Sequence, residues 1–160
     1  MQQTIKKVVI VGGGTSGWIT AGVLAAEHLA KHQQGVQITL VESPNVATIG
    51  VGEGTWPTMR GTLKKMGISE TEFFRHCDAS FKQGAKFAKW VNGEDDDAYY
   101  HPLVLPQGYQ EINLAPYWHQ SYSHIPFADA VCGQGKLCDH HLAPKQASTP
   151  EYAHVANYAY

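Results

Sequence analysis

The sequence contains no hydrophobic run approaching the ~18 residues that a membrane-spanning helix requires, and Met-Gln-Gln-Thr-Ile-Lys-Lys leads directly into a strand pattern rather than an apolar leader. There is no basic surplus either: 12 Lys and Arg stand against 14 Asp and Glu, for a formal net charge of -2, which removes the electrostatic basis for nucleic-acid binding. The aromatic-rich stretch with Trp118 and Tyr122 therefore has no basic groove to serve as a stacking platform for single strands. Cysteine is scarce. Cys77, Cys132 and Cys138 are an odd number at irregular spacing, which does not form a disulfide framework. Together these absences predict a soluble protein of the reducing cytoplasm, with no membrane or nucleic-acid partner. Internal repeats and low-complexity tracts are also missing, apart from the short acidic turn Glu94 to Asp97.

Glycine and proline, by contrast, are plentiful, with 16 and 8 residues in a chain of 160. From about Gly93 onward the amphipathic period fades into Tyr, His, Pro and Gly, so a boundary is placed at 92/93 between a periodic front part and a loop-rich continuation. The final "HVANYAY" is apolar and lacks a closing turn, which suggests the front part of a longer protein.

Within residues 1–92 the periodicity predicts a strand over 4–11 and a helix over 16–31, with Trp18, Ile19, Val23, Leu24 and Leu29 near one face. A second strand is predicted over 36–41, completing a βαβ unit. A glycine loop and a short helix around 58–66 follow. Ser69 with Glu72 forms a capping box, predicting a helix that carries Phe73, Phe74 and Cys77 inward. The alternation in "AKFAKW" after Gly84 reads as a strand, placing Lys82 at a helix-to-strand junction, where a side chain can project into a cleft.

Three stretches carry chemistry. In "VVIVGGGTSGW", Gly12, Gly14 and Gly17 match G-x-G-x-x-G: the first allows a tight turn, the second a close backbone approach to a pyrophosphate, the third close helix packing. Ser16, just after Thr15, opens the following helix, whose free N–H groups and dipole face the phosphates. Glu42, at the end of the second strand, is placed to accept from an adenosine ribose. This predicts a nucleotide and leaves FAD and NAD both open. In "IGVGEGTWP", the glycines around Glu53 let the backbone pass close to a flat ring such as an isoalloxazine, or form no more than a mobile loop. Cys132, Cys138, His140 and His141 offer metal-ligand types within ten residues, but C-x5-C with adjacent histidines is not a familiar zinc spacing, and no metal is expected.

Taken with "FFRHCDASFKQGAKFAKW", the motifs "GGGTSGW" and "IGVGEGTWP" make the sequence resemble the flavin-dependent halogenases of the tryptophan halogenase family. The resemblance runs in register over about the first ninety residues and more loosely through "YYHPL", "PYW" and "NYAY". It implies an α/β chain with a Rossmann-like FAD-binding fold of the flavin monooxygenase type, incomplete here, leading towards a substrate-binding part. The implied cofactor is FAD, supplied reduced as FADH2 by a separate flavin reductase, with oxygen and chloride or bromide as cosubstrates. These generate hypohalous acid, which the family lysine directs onto an electron-rich aromatic such as an indole or tryptophan.

On that resemblance Lys82 is the catalytic lysine. Gly12, Gly14, Thr15, Ser16, Gly17, Glu42, Gly50, Val51, Gly52 and Glu53 are the cofactor-binding residues, and His101 lines the substrate cavity. An ammonium at Lys82 would hydrogen-bond and polarise hypohalous acid, whereas a neutral amine would form a haloamine; both routes stay open. So does a homodimer as the assembly. Complete members of the family run to roughly three times this length, so the 160 residues alone are expected to be inactive. The family's G-W-x-W-x-I-P motif and the glutamate that partners the lysine are missing from this stretch. "GEGTWP" also departs in detail from the tryptophan-specific members, leaving free indole or another arene as open as tryptophan. Two alternatives stand beside the halogenase: a flavin monooxygenase acting without halide, and a non-catalytic nucleotide-binding module.

Overall fold

A computed structural model describes residues 4–47, 50, 52–106, 108–148 and 159–160. The chain divides into two compact units, residues 1–53 with 59–73 and residues 54–58 with 74–160.

The first unit is built on β1 (Lys7–Val11), α1 (Thr15–Glu27) and β2 (Gln37–Val41). The strands pair in parallel from Lys7 opposite Gln37 to Val11 opposite Val41, and the Gly12 N–H donates to the Val41 carbonyl at 2.9 Å, closing the end from which the glycine turn departs. Burial alternates along both strands. Val8, Ile10, Ile38 and Leu40 are half-buried, while Val9, Val11 and Val41 face the other way and are exposed.

α1 stops at Glu27, short of the expected 31. Leu29 takes a left-handed φ of 52°, and the 28–36 turn closes on itself through His32 N–H to Leu29 O and Val36 N–H to His28 O. Ile19, Val23 and Leu24 of the expected apolar face are half-buried; Leu29, beyond the end of the helix, is exposed, and so is Trp18 in its first turn.

α2 (Thr58–Met66) occupies the expected positions and buries Leu63. It is tied to its surroundings by an Arg60–Glu70 ion pair and an exposed Lys65–Glu27 pair, each 2.6 Å. Ser69 caps α3 (Glu70–Cys77) reciprocally: the Glu72 N–H donates to Ser69 Oγ at 3.1 Å and the Ser69 N–H to Glu72 Oε2 at 3.2 Å. Phe73 and Phe74 are half-buried as expected. Cys77 is not; it is exposed at the last turn of the helix.

The second unit contains an antiparallel hairpin of β3 (Gly84–Ala88) and β4 (Ala98–Pro102), with Phe87 stacked on Tyr99 at 5.1 Å. The acidic turn between them is organised by Asp97, whose carboxylate accepts from the N–H groups of Val91, Asn92 and Gly93 at 2.7, 2.8 and 3.0 Å. Those donors, Gly93 foremost, hold its carboxyl below the usual carboxylate range. The stretch beyond 93 is more regular than its composition suggests. Besides β4, its described residues form three short helices, α4 (Ala115–Ser121), α5 (Phe127–Val131) and α6 (Gln134–Asp139). Trp118 fixes α4 against the following turn, its indole N–H donating to the Ile125 carbonyl at 2.7 Å and its ring meeting Phe127 edge-on at 5.4 Å.

Among the described residues no helix is long and apolar enough to cross a membrane.

Candidate functional site

The glycine turn between β1 and α1 is a cradle without side chains. Gly12 has a φ of 125°, which L side chains rarely adopt, and a Cβ on Gly17 would collide with the Gly12 carbonyl oxygen, so both glycines are required for α1 to start this close to β1. Gly14 is the N-cap, with no side-chain cap, and nothing lies within 4 Å of where its Cβ would be. The backbone there stays open to a bulky anion. Glu42 leaves the end of β2 and brings its carboxylate against Gly13, where a Cβ would clash with it. Gly12, Gly13, Gly14, Thr15 and Glu42 line one cavity of about 390 Å³. Ser16 lies next in the first turn, its carbonyl accepting from the Thr20 hydroxyl at 2.7 Å.

Open backbone, free helix N–H groups and a carboxylate at the neighbouring strand end fit the diphosphate and ribose of a dinucleotide such as FAD. Gly50, Gly52 and Glu53 are exposed, and nothing lies within 4 Å of a Cβ on either glycine. Val51 lies outside the described residues.

In the second unit Lys82 is held from two sides. Its backbone forms an antiparallel bridge with Ala159: the Lys82 N–H donates to the Ala159 carbonyl at 2.7 Å, and the Ala159 N–H to the Lys82 carbonyl at 2.9 Å. Its side chain runs to the turn Gly54–Thr55–Trp56. There Nζ lies 3.4 Å from the Thr55 carbonyl and 4.8 Å from the Trp56 ring centroid, within cation–π range. A Cβ on Gly54 would sit 3.1 Å from Nζ.

The turn is itself pinned by Tyr160. The Thr55 N–H donates to the Tyr160 carbonyl at 2.7 Å, and the Tyr160 N–H donates to Thr55 Oγ1 at 2.9 Å. Ala159 and Tyr160 are buried, and Phe74 packs on both Phe81 and Tyr160 at 4.8 and 5.3 Å. Beside Lys82, Gln83 is buried, and neither of its amide atoms is hydrogen-bonded to any of the described residues.

Trp56 also borders an aromatic cavity of this unit, about 790 Å³, which is walled by Tyr99, Tyr100, His101, Trp118 and Phe127. His101, on β4 opposite Ala85, thus shares a cavity with Trp56, which in turn touches Lys82. Cys132 lies in the same wall; burial pushes its thiol up, and its S–H donates to the Ala128 carbonyl at 3.0 Å.

β4 is tethered from behind. The Tyr100 hydroxyl donates to the Asp139 carboxylate, and Lys86 Nζ lies 3.6 Å from the same oxygen. The hydrogen bond to Asp139 raises the Tyr100 pKa, and seen from the other partner it lowers that of Asp139. Lys86 is raised, first by Tyr100 and then by Asp139. Among the described residues no three His, Cys, Asp or Glu side chains gather as a metal site.

Sequence reasoning singled out Lys82 and His101 but missed Gly54, Thr55, Trp56 and Tyr160 as their surroundings. The "GEGTWP" stretch was the available signal for the first three.

A parallel βαβ unit whose glycine turn leaves a phosphate-sized cradle defines a partial Rossmann-like FAD-binding fold, of the kind found in flavin-dependent oxidoreductases. Known proteins narrow this class. Tryptophan halogenase is the family that matches residues 7–160, and the chain belongs to it.

It is 33% identical to tryptophan 7-halogenase RebH of Lentzea aerocolonigenes over 177 residues, covering 100% of this chain and 32% of that protein. The crystal structure of the tryptophan halogenase from Shewanella frigidimarina superposes with a TM-score of 0.89 at 52% identity, covering 97% of this chain and 31% of that one. BrvH, a flavin-dependent halogenase from Brevundimonas, gives a TM-score of 0.74 at 28% identity, covering 97% and 30%. The chain thus spans about a third of the length of the relatives it matches.

Proposed function

We propose that this chain is the flavin-binding and lysine-bearing portion of a flavin-dependent halogenase acting on an electron-rich arene, an indole or tryptophan. The observation that carries this reading is the seat of Lys82: an ammonium held by a glycine turn, with the aromatic ring that flanks it also bordering the His101 cavity. A solvated surface lysine has no need of such a seat.

Gly12, Gly14, Thr15, Ser16, Gly17 and Glu42 would hold the adenosine diphosphate end of FAD, and Gly50, Val51, Gly52 and Glu53 would run beside its ring system. When bound, reduced FAD with oxygen and chloride or bromide supplies hypohalous acid, the reduced form coming from a separate reductase. The chain's own task is then placement. Lys82 donates a hydrogen bond to the oxygen of hypohalous acid, which makes that oxygen a better leaving group, and the aromatic wall with His101 orients the arene.

The test is the protein expressed from its complete reading frame, supplied with FAD, a flavin reductase, NADH, oxygen, bromide and a panel of indoles. A product carrying the bromine isotope doublet supports the halogenase. An oxygenated product that ignores bromide supports a halide-free monooxygenase, and failure to bind flavin supports a non-catalytic module.

A further inference from the structure

Trp56 places an indole, among the side chains most reactive towards positive halogen, beside the group that under the proposed function holds the halogenating oxidant. Its ring centroid is 4.8 Å from Lys82 Nζ, and the ring borders the same cavity as His101. The approach is built into the fold. The Thr55 backbone is fixed to Tyr160 by hydrogen bonds in both directions, the Lys82 backbone is fixed to Ala159, and Gly54 leaves the space that Nζ uses.

We propose that Trp56 is itself a halogen acceptor: with no arene in the cavity, hypohalous acid held at Lys82 halogenates the Trp56 indole. This rests on the halogenase reading. A ring carbon of Trp56 attacks the halogen of HOX, so that a C–X bond forms as the O–X bond breaks. The displaced ring proton combines with the departing hydroxide, so that Ar–H and HOX give Ar–X and water. Two electrons pass from the ring to the halogen, and no other oxidant is needed. Lys82 supplies the hydrogen bond to the leaving oxygen, and its charge is retained throughout. An arene seated between the oxidant and the wall intercepts the halogen first, so substrate protects Trp56.

Solvent exposure alone ranks the tryptophans differently. Trp90 is 71% exposed, Trp56 63% and Trp18 55%, so a diffusing oxidant would mark Trp90 at least as readily as Trp56. The complete protein is therefore turned over with FAD, reductase, NADH, oxygen and bromide, without arene and with free methionine to consume escaped oxidant, then digested and mapped by mass spectrometry. The same preparation is assayed in parallel on free indole. A sample treated directly with hypobromous acid gives the exposure-ordered pattern for comparison.

The expected result is a bromine doublet on the Trp56 peptide about tenfold or more above those of Trp18 and Trp90, as an oxidant held at high effective concentration requires. Added indole suppresses it, and Lys82→Ala or Lys82→Met, each with its flavin content verified, abolishes it. Labelling that follows exposure, that falls on Tyr99 or Tyr100 instead, or that persists in both Lys82 variants overturns the proposal. So does brominated indole with an unmarked Trp56, which leaves the halogenase reading standing. If neither indole nor Trp56 takes up bromine, that reading fails and the proposal falls with it.

Discussion

Gly54 and Lys82 share one small volume: the point where a Cβ on Gly54 would stand is 3.1 Å from Lys82 Nζ. The atom to be displaced is the far end of a flexible side chain, so Gly54→Ala folds normally while pushing the ammonium off the Thr55 carbonyl. Displacement of a positioned group by under an ångström costs about tenfold or more in rate. Gly54→Ala is therefore expected to lower halogenation by about that factor with unchanged flavin content and thermal midpoint. Steady-state rates beside flavin absorbance check this; a fully active variant would separate the turn from the role of Lys82.

The glycine cradle allows structural and ligand roles to be distinguished. A methyl group on Gly17 collides with the Gly12 backbone, so Gly17→Ala is expected to cost about 1–3 kcal/mol of stability, as overpacking does, as well as flavin binding. A methyl group on Gly14 meets nothing. Gly14→Ala should leave the unliganded protein within about 1 kcal/mol of wild type, the scale of an N-cap change, yet weaken flavin binding by blocking the diphosphate. Flavin titration beside apo-protein melting checks the pair. Equal behaviour of the two variants would count against a phosphate at Gly14.

The tether behind β4 predicts a dependence on pH at both extremes. Asp139 has a lowered pKa, so its contribution is full above its unfolded value, near 3.9, and fades as pH falls through the lower folded value. Tyr100 and Lys86 are raised, so theirs is full below their unfolded values, about 10, and fades as pH rises through the folded ones. Asp139→Asn should flatten both limbs of the thermal midpoint plotted against pH, and leave the neutral region nearly unchanged because the pair is exposed. Limbs as steep as those of wild type would show that the tether contributes nothing.

The Ser69 cap offers a local test. Ser69→Ala removes the Oγ that accepts from the Glu72 N–H and keeps the backbone N–H that donates to Glu72 Oε2; the lost cap is expected to cost about 1 kcal/mol, read as a lowered melting midpoint. An unchanged midpoint would mean that α3 is held by its packing alone.

These elements also show what the sequence could and could not reveal. The capping box, the α2 span and the β1–turn–α1 sequence were legible because each is encoded within a few neighbouring residues. β4 was not: Ala98, Tyr99, Tyr100 and Pro102 are all half-buried, so the period-two contrast that marks a strand is missing. The surroundings of Lys82 were hidden for another reason. Thr55 and Tyr160 are 105 positions apart, and no local pattern announces that they pair or that the turn they fix receives a lysine. The inward Cys77 failed because α3 reaches its last turn there, where its packed face ends.

The most direct test of the central claim, that Lys82 directs the halogen, is brominated indole formed per oxygen consumed, measured on the complete protein as wild type and as Lys82→Met. If the lysine acts only after flavin reduction and oxygen uptake, as the proposed function has it, oxygen consumption is comparable in both and brominated product falls about 10²-fold or more in the variant, the scale of a positioned proton donor. Equal yields of brominated indole from both proteins would contradict it.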